Sequence, residues 1–225
     1  MTRLALRLTV ALTLLASVVA GVRSPVANAQ GYTEAVCGQG KGGISLGVEG
    51  RFIVLRGGIC PNDDKKFRDF LKSTDKSIRT VKLISGGGNG GAAENIGTVI
   101  RNGEYNTYVD GAVDRCASAC THVFASGMQR FYSGAENITT GPSARRGLGY
   151  HDLDVNHTDE SDADKERKFN ATAVPFLKRM LPASAANATI ALMRANHTAQ
   201  MTWLNGDEAL RTGIATSLAM PPVVQ

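Results

Sequence analysis

Beyond its first 29 residues the sequence has no apolar run approaching the roughly 20 residues that span a bilayer, so that remainder is expected to be soluble. Aromatic residues make up only 6% of the chain, and no basic stripe is interleaved with them. Nucleic acid is therefore not an expected partner. No Gly-Lys-Ser/Thr follows the glycines, which removes the phosphate-binding P-loop. Cysteine is scarce, with four in 225 residues. Cys116, Cys120 and His122 form Cys-x3-Cys-x-His, which is not a usual zinc spacing, and neither a metal nor another cofactor is expected. No internal repeat and no linker marks a second domain.

What is present begins with a leader. Arg3 and Arg7 open the chain, and Leu8 to Val22 is apolar apart from Thr9, Thr13, Ser17 and Gly21. Ala27-Asn28-Ala29 supplies the small residues of a cleavage site. The pattern is that of a cleavable secretory signal over residues 1–29, with residues 30–225 as one exported domain, periplasmic or secreted. The formal charge of +5 falls to +2 when Arg3, Arg7 and Arg23 leave with the signal, and Lys65-Lys66 and Arg145-Arg146 read as solvated surface. The 196 residues that remain are enough for a proper core. In an oxidising compartment four cysteines imply two disulfides. Of the three connectivities, Cys37–Cys60 with Cys116–Cys120 is the most economical: the first closes an N-terminal hairpin and the second braces the turn carrying Ser118.

Strands and helices alternate along the chain. Ile44 to Val48 and Arg51 to Leu55 read as a hairpin. Asn62-Asp63-Asp64 can cap a helix whose apolar positions are Phe67, Phe70 and Leu71. Val81 to Ile84 is a strand entering Ser85-Gly86-Gly87-Gly88-Asn89-Gly90-Gly91. Ala92 to Arg101 has helical spacing, and Thr107 to Val109 is a short strand. Ser118 to Ser126 reads as helix, and Arg130 to Tyr132 and Leu148 to His151 as strands, with a polar loop at 133–147 between them. Val155 to Lys165 is charged. A helix is expected from Asp162 to Leu181 with Pro175 as a kink or break, then another over Ala183 to Ala195. Asn205 and Glu208 resemble a capping box at the start of a short helix. The order implies an α/β fold with parallel strands joined by right-handed crossovers. Asn-x-Thr triplets at Asn137, Asn156, Asn170, Asn187 and Asn196 matter only in a host that glycosylates.

Chemistry concentrates in three places. A serine hydroxyl becomes nucleophilic when a base, usually histidine oriented by a third group, takes its proton. The oxyanion formed on attack needs rigid backbone N–H donors. Consecutive glycines at a strand end present such donors, and a helix N-terminus favours developing negative charge. Gly87 as donor, Ser118 as nucleophile, Ala119 as second donor and His151 as base therefore make chemical sense together. His122, four residues after Ser118, is a rival base whose helical position favours packing. His157 and His197 lie in polar contexts and read as surface.

Phe52 to Ile59, Val81 to Gly88, Cys116-Ala117-Ser118-Ala119-Cys120 and Leu148-Gly149-Tyr150-His151 resemble the Clp protease proteolytic subunit and the wider ClpP/crotonase superfamily. They are most similar to its exported bacterial branch with a Cys-x-Ser-x-Cys turn. The resemblance covers Ile44 to Leu153 well and Trp203 to Leu218 loosely. It implies a spiral of ββα units with C-terminal helices, Ser118 as nucleophile, His151 as base, Gly87 and Ala119 as oxyanion donors, and a homo-oligomer. Two departures stand out. The family's Ser-Pro-Gly-Gly reads Ser85-Gly86-Gly87-Gly88, without the proline. The triad aspartate expected just before Trp203-Leu204 falls at Met201, which cannot orient an imidazole; Asp152, Asp154 or Asp207 are the substitutes to weigh.

The first expectation is an exported serine hydrolase, of peptidase type, acting on a peptide or other acyl substrate. The second is an inactive binding or assembly module on the same fold. An acyl-CoA enzyme is the third, disfavoured because CoA is not expected outside the cytoplasm.

Overall fold

The computed structural model describes residue 37 and residues 43–151, 161–195 and 201–223. The hairpin forms as expected: β1 (Ser45–Glu49) pairs antiparallel with β2 (Phe52–Arg56), Gly47 opposite Val54. Next comes α1 (Asp63–Ser73), burying Phe67 and Leu71. Its cap differs from expectation. Asn62 sits in the left-handed region at φ 71° and makes no side-chain cap. The Asp63 carboxylate instead accepts the amides of Ile44 at 3.0 Å and Cys60 at 2.7 Å, tying the helix start to the hairpin.

The chain then runs through β3 (Thr80–Ile84) and α2 (Gly90–Asn102). Asn89 caps α2 by accepting the Ala92 amide at 2.8 Å, and Ile96 and Ile100 face the core at helical spacing. β4 (Asn106–Asp110), β5 (Arg115–Ala117) and α3 (Ala119–Ala125) follow, then β6 (Arg130–Ser133) and β7 (Gly147–Tyr150). β5 and the later strand over Thr202–Leu204 are missed by the sequence pattern, since three residues are too few to show alternation.

The long C-terminal helix expected from Asp162 is two: α4 (Asp162–Ala171) and α5 (Ala173–Met180). The break lies at Thr172, before Pro175, because a helical proline clashes with the carbonyl four residues earlier, here Ala171. α6 (Ala183–Arg194), β8 (Thr202–Leu204) and α7 (Gly206–Thr212) complete the described chain.

The strands form two sheets. One has the order β1-β2-β3-β4-β6, parallel from β2 onward; the other has the order β5-β7-β8, with β8 antiparallel to β7. From β4 onward the chain alternates between them: β4 and β6 lie in the first, β5 and β7 in the second. A parallel bridge between Ser85 and Cys116 joins the sheets. Tyr132 reinforces the junction from β6. Its hydroxyl donates to the Leu204 carbonyl at 2.8 Å and accepts the Leu148 amide at 3.0 Å. Helices α2, α3 and α5 pack on the shared core, which buries Leu83, Ile96, Val123, Phe124, Phe176 and Leu177. No helix among the described residues is long and apolar enough to cross a membrane.

Candidate active site

β5 and β7 run parallel, with Arg115, Cys116 and Ala117 opposite Gly147, Leu148 and Gly149. Both strands end at the same edge, where Ser118 follows β5 and His151 follows β7. Ligand sites in parallel sheets lie at such carboxyl ends. The topology therefore brings together two residues 33 positions apart in sequence.

Ser118 occupies a sharp strand-to-helix turn. Its backbone has φ 54° and ψ −129°, and it directly precedes α3. Asn62 tolerates its positive φ in the ordinary left-handed well (ψ 3°), but the ψ of Ser118 lies outside that well. Such a conformation costs a non-glycine residue about 1–3 kcal/mol and persists only where the surroundings enforce it. Here they do. The Ser118 amide donates to the Gly149 carbonyl at 2.9 Å, and its carbonyl accepts the Thr121 amide at 2.8 Å and the Thr121 hydroxyl at 2.7 Å. A disulfide between Cys116 and Cys120 closes the turn from beneath. The other disulfide joins Cys37 to Cys60, and no free cysteine remains.

Gly87 lies against this turn. A Cβ built on it would stand 2.6 Å from the Ala117 carbonyl oxygen, 2.7 Å from Ser118 Cβ and 3.0 Å from the Ala119 nitrogen. Only a residue without a side chain lets the backbone come this close, and φ is +98°. The Ala119 amide is the first of α3, and the opening amides of a helix have no partner within it. Gly87, Ser118 and Ala119 thus meet at one point. The Gly87 amide donates to Ser85 Oγ at 3.1 Å.

His151 directly follows β7 and is 6% exposed. His122, the rival base, is absorbed by the core. It is wholly buried between α2, α3 and α5, 3.4 Å from the Glu94 carboxylate and stacked on Phe176 with ring centres 5.7 Å apart.

The third position follows from register. β7 pairs with β8 as Leu148–Leu204, Gly149–Trp203 and Tyr150–Thr202, so the next step of the ladder sets His151 opposite Met201. Met201 packs over Gly149: its sulfur would lie 2.7 Å from a Cβ there, and the Trp203 ring 2.8 Å. No carboxylate comes from this position. Asp207 lies beyond the far end of β8, beside the start of β7 rather than its end. It is exposed and lines a cavity of about 650 Å³ with Glu136, Thr140 and Glu208. It does not meet His151. Asp152 and Asp154 lie outside the described residues, as do His157 and His197.

Among solved structures this architecture has close counterparts. One is a mutant of ClpP1 from Listeria monocytogenes, with TM-score 0.52 and 18% identity over 76% of this chain and 92% of that one. Another is the ClpP protease catalytic domain from Plasmodium falciparum, at 0.51 and 14%, covering 78% and 88%. A third is a serine-to-alanine mutant of the membrane-bound stomatin-specific protease 1510-N, at 0.51 and 15%, covering 74% and 77%. The fold is ClpP-like. No family model matches the sequence, and no curated protein matches it significantly.

Sequence reasoning missed Ser85 as the partner of the Gly87 amide and Tyr132 as the link between the sheets. A lone serine or tyrosine carries no spacing signal. Both roles arise from contacts between residues distant in sequence or turned by a local bend.

Proposed function

We propose that the chain is an exported serine hydrolase of peptidase type, with Ser118 as nucleophile and His151 as base. The observation that carries the reading is the backbone of Ser118. Its strained conformation, held by Gly149, Thr121 and the Cys116–Cys120 disulfide, is what a nucleophile elbow requires to lift a hydroxyl clear of its strand. Ser118 Oγ attacks the acyl carbon of a peptide or other acyl substrate, and His151 takes its proton. The Gly87 and Ala119 amides receive the oxyanion. His151 returns the proton to the leaving group, and water then hydrolyses the acyl-enzyme by the reverse path. The two disulfides and the secretory leader support a periplasmic or secreted location. A homo-oligomer is part of this reading.

Met201 opposite His151 favours one alternative, a binding or assembly module that keeps the fold without turnover. A fluorophosphonate probe separates the two. The hydrolase reading expects labelling at Ser118 in the folded chain and none in Ser118→Ala. Folded protein that never labels would leave the module reading standing.

A further inference from the structure

Ser85 is buried, 3% exposed, at the point where β3 passes into the glycine turn. Its backbone is stitched to β5 on both sides of Cys116: its amide donates to the Arg115 carbonyl at 2.7 Å, and its carbonyl accepts the Ala117 amide at 3.0 Å. Its side chain has a separate task. Ser85 Oγ accepts the Gly87 amide at 3.1 Å, and the side-chain position of Gly87 lies against Ser118 and Ala119.

We propose that Ser85 is a positioning residue that holds the Gly87 amide in a resting orientation and must release it when an oxyanion forms at Ser118. The proposal rests on the reading of Ser118 as nucleophile and Gly87 as donor. An amide has one proton, which cannot serve two acceptors at full strength. The peptide between Gly86 and Gly87 has glycine on both sides, so no side chain obstructs its rotation. The Gly87 carbonyl, by contrast, is fixed by the Ile59 amide at 2.9 Å. Rotation is therefore confined to the one peptide whose N–H is the proposed donor. Giving up a neutral hydrogen bond in the transition state slows the reaction by roughly threefold to tenfold. Ser85 thus trades rate for a satisfied buried donor in the free protein.

The test uses the full mature chain and two variants, Ser85→Ala and Ser85→Cys, the second retaining volume with a poor acceptor. Two quantities are measured: the rate of fluorophosphonate labelling at Ser118, and hydrogen exchange of the Gly87 amide. Ser85→Ala is expected to label roughly threefold to tenfold faster than the natural chain. Its Gly87 amide should exchange faster while the β7 amides keep their protection. A merely structural serine gives the opposite sign, because a loosened turn slows labelling. Folded Ser85→Ala labelling at the natural rate or below overturns the proposal, as does unchanged Gly87 exchange. If Ser85→Ala does not fold, Ser85→Cys is read the same way, with a smaller gain. If no form labels at Ser118, the hydrolase reading fails separately, and Gly87 exchange alone decides whether Ser85 holds that amide.

Discussion

His151 and Met201 show how a single position controls what a site can do. The β7–β8 register, carried one step past Tyr150–Thr202, sets Met201 across from His151, where a carboxylate would fix the tautomer of the imidazole and stabilise its charged form. Loss of an orienting acid costs up to about 10⁴ in rate in well-studied triads. Met201→Asp is therefore expected to raise Ser118 labelling by about tenfold or more. A folded variant that labels no faster would mean the orienting group comes from elsewhere in the chain. Asp207 is excluded from that role by its place at the far end of β8, whereas the sequence alone left it level with Asp152 and Asp154.

The turn from β5 into α3 shows what a short element contributes. β5 has three residues and α3 seven, too little to stand without help. The Cys116–Cys120 disulfide, the bridge to Ser85 and the Gly149 carbonyl hold the turn from three directions. Because stabilisation by a disulfide grows with the loop it closes, this five-residue loop contributes about 2 kcal/mol and the longer Cys37–Cys60 loop about 3 kcal/mol. Alanine at both Cys116 and Cys120 should therefore lower the urea midpoint less than alanine at Cys37 and Cys60, yet slow Ser118 labelling more. Equal labelling rates in the two double variants would show that the brace does not shape the turn. Both pairings were legible from cysteine spacing together with the expectation of export. The strained φ and ψ of Ser118 were not, since they depend on a carbonyl 31 residues away.

Across the whole molecule, buried and half-buried polar groups tie separate layers together. The Arg101 guanidinium on α2 donates to the carbonyls of Ser126, Gly127 and Met180 at 2.9, 3.2 and 2.6 Å, docking the C-terminal helices. Arg130 donates to those of Ile214, Gly127 and Gly213 at 2.8, 3.2 and 3.0 Å. Burial lowers its pKa to about 10, helped by the nearby charge of Arg101. Burial raises the pKa of both Tyr132 and Tyr150. The signs oppose each other. Folded tyrosines keep their protons above pH 10 while unfolded ones lose them, so their contribution is intact below about pH 10 and is lost as pH rises. Arg130 binds its proton less tightly when folded, so it gains over the same range. Two tyrosines outweigh one arginine, and the urea midpoint should hold to about pH 10 and fall above it. A midpoint unchanged between pH 9 and pH 11 would contradict this account.

The sequence carried the hairpin, α2 and the helix after Ser118, and it led to Gly87, Ser118 and His151 as the candidate site. The elements follow from hydrophobic period and turn residues, which act over a few residues, and the site candidates from the order of motifs along the chain. Folding in three dimensions decided what period cannot express: that β5 is a strand, that His122 belongs to the core, that Asp207 points elsewhere and that Ser85 claims the Gly87 amide. The roles of β5 and Asp207 depend on pairing register between distant segments, where a shift of one residue exchanges the face or the partner of every side chain that follows, whereas the place of His122 depends on helix packing and that of Ser85 on a local bend.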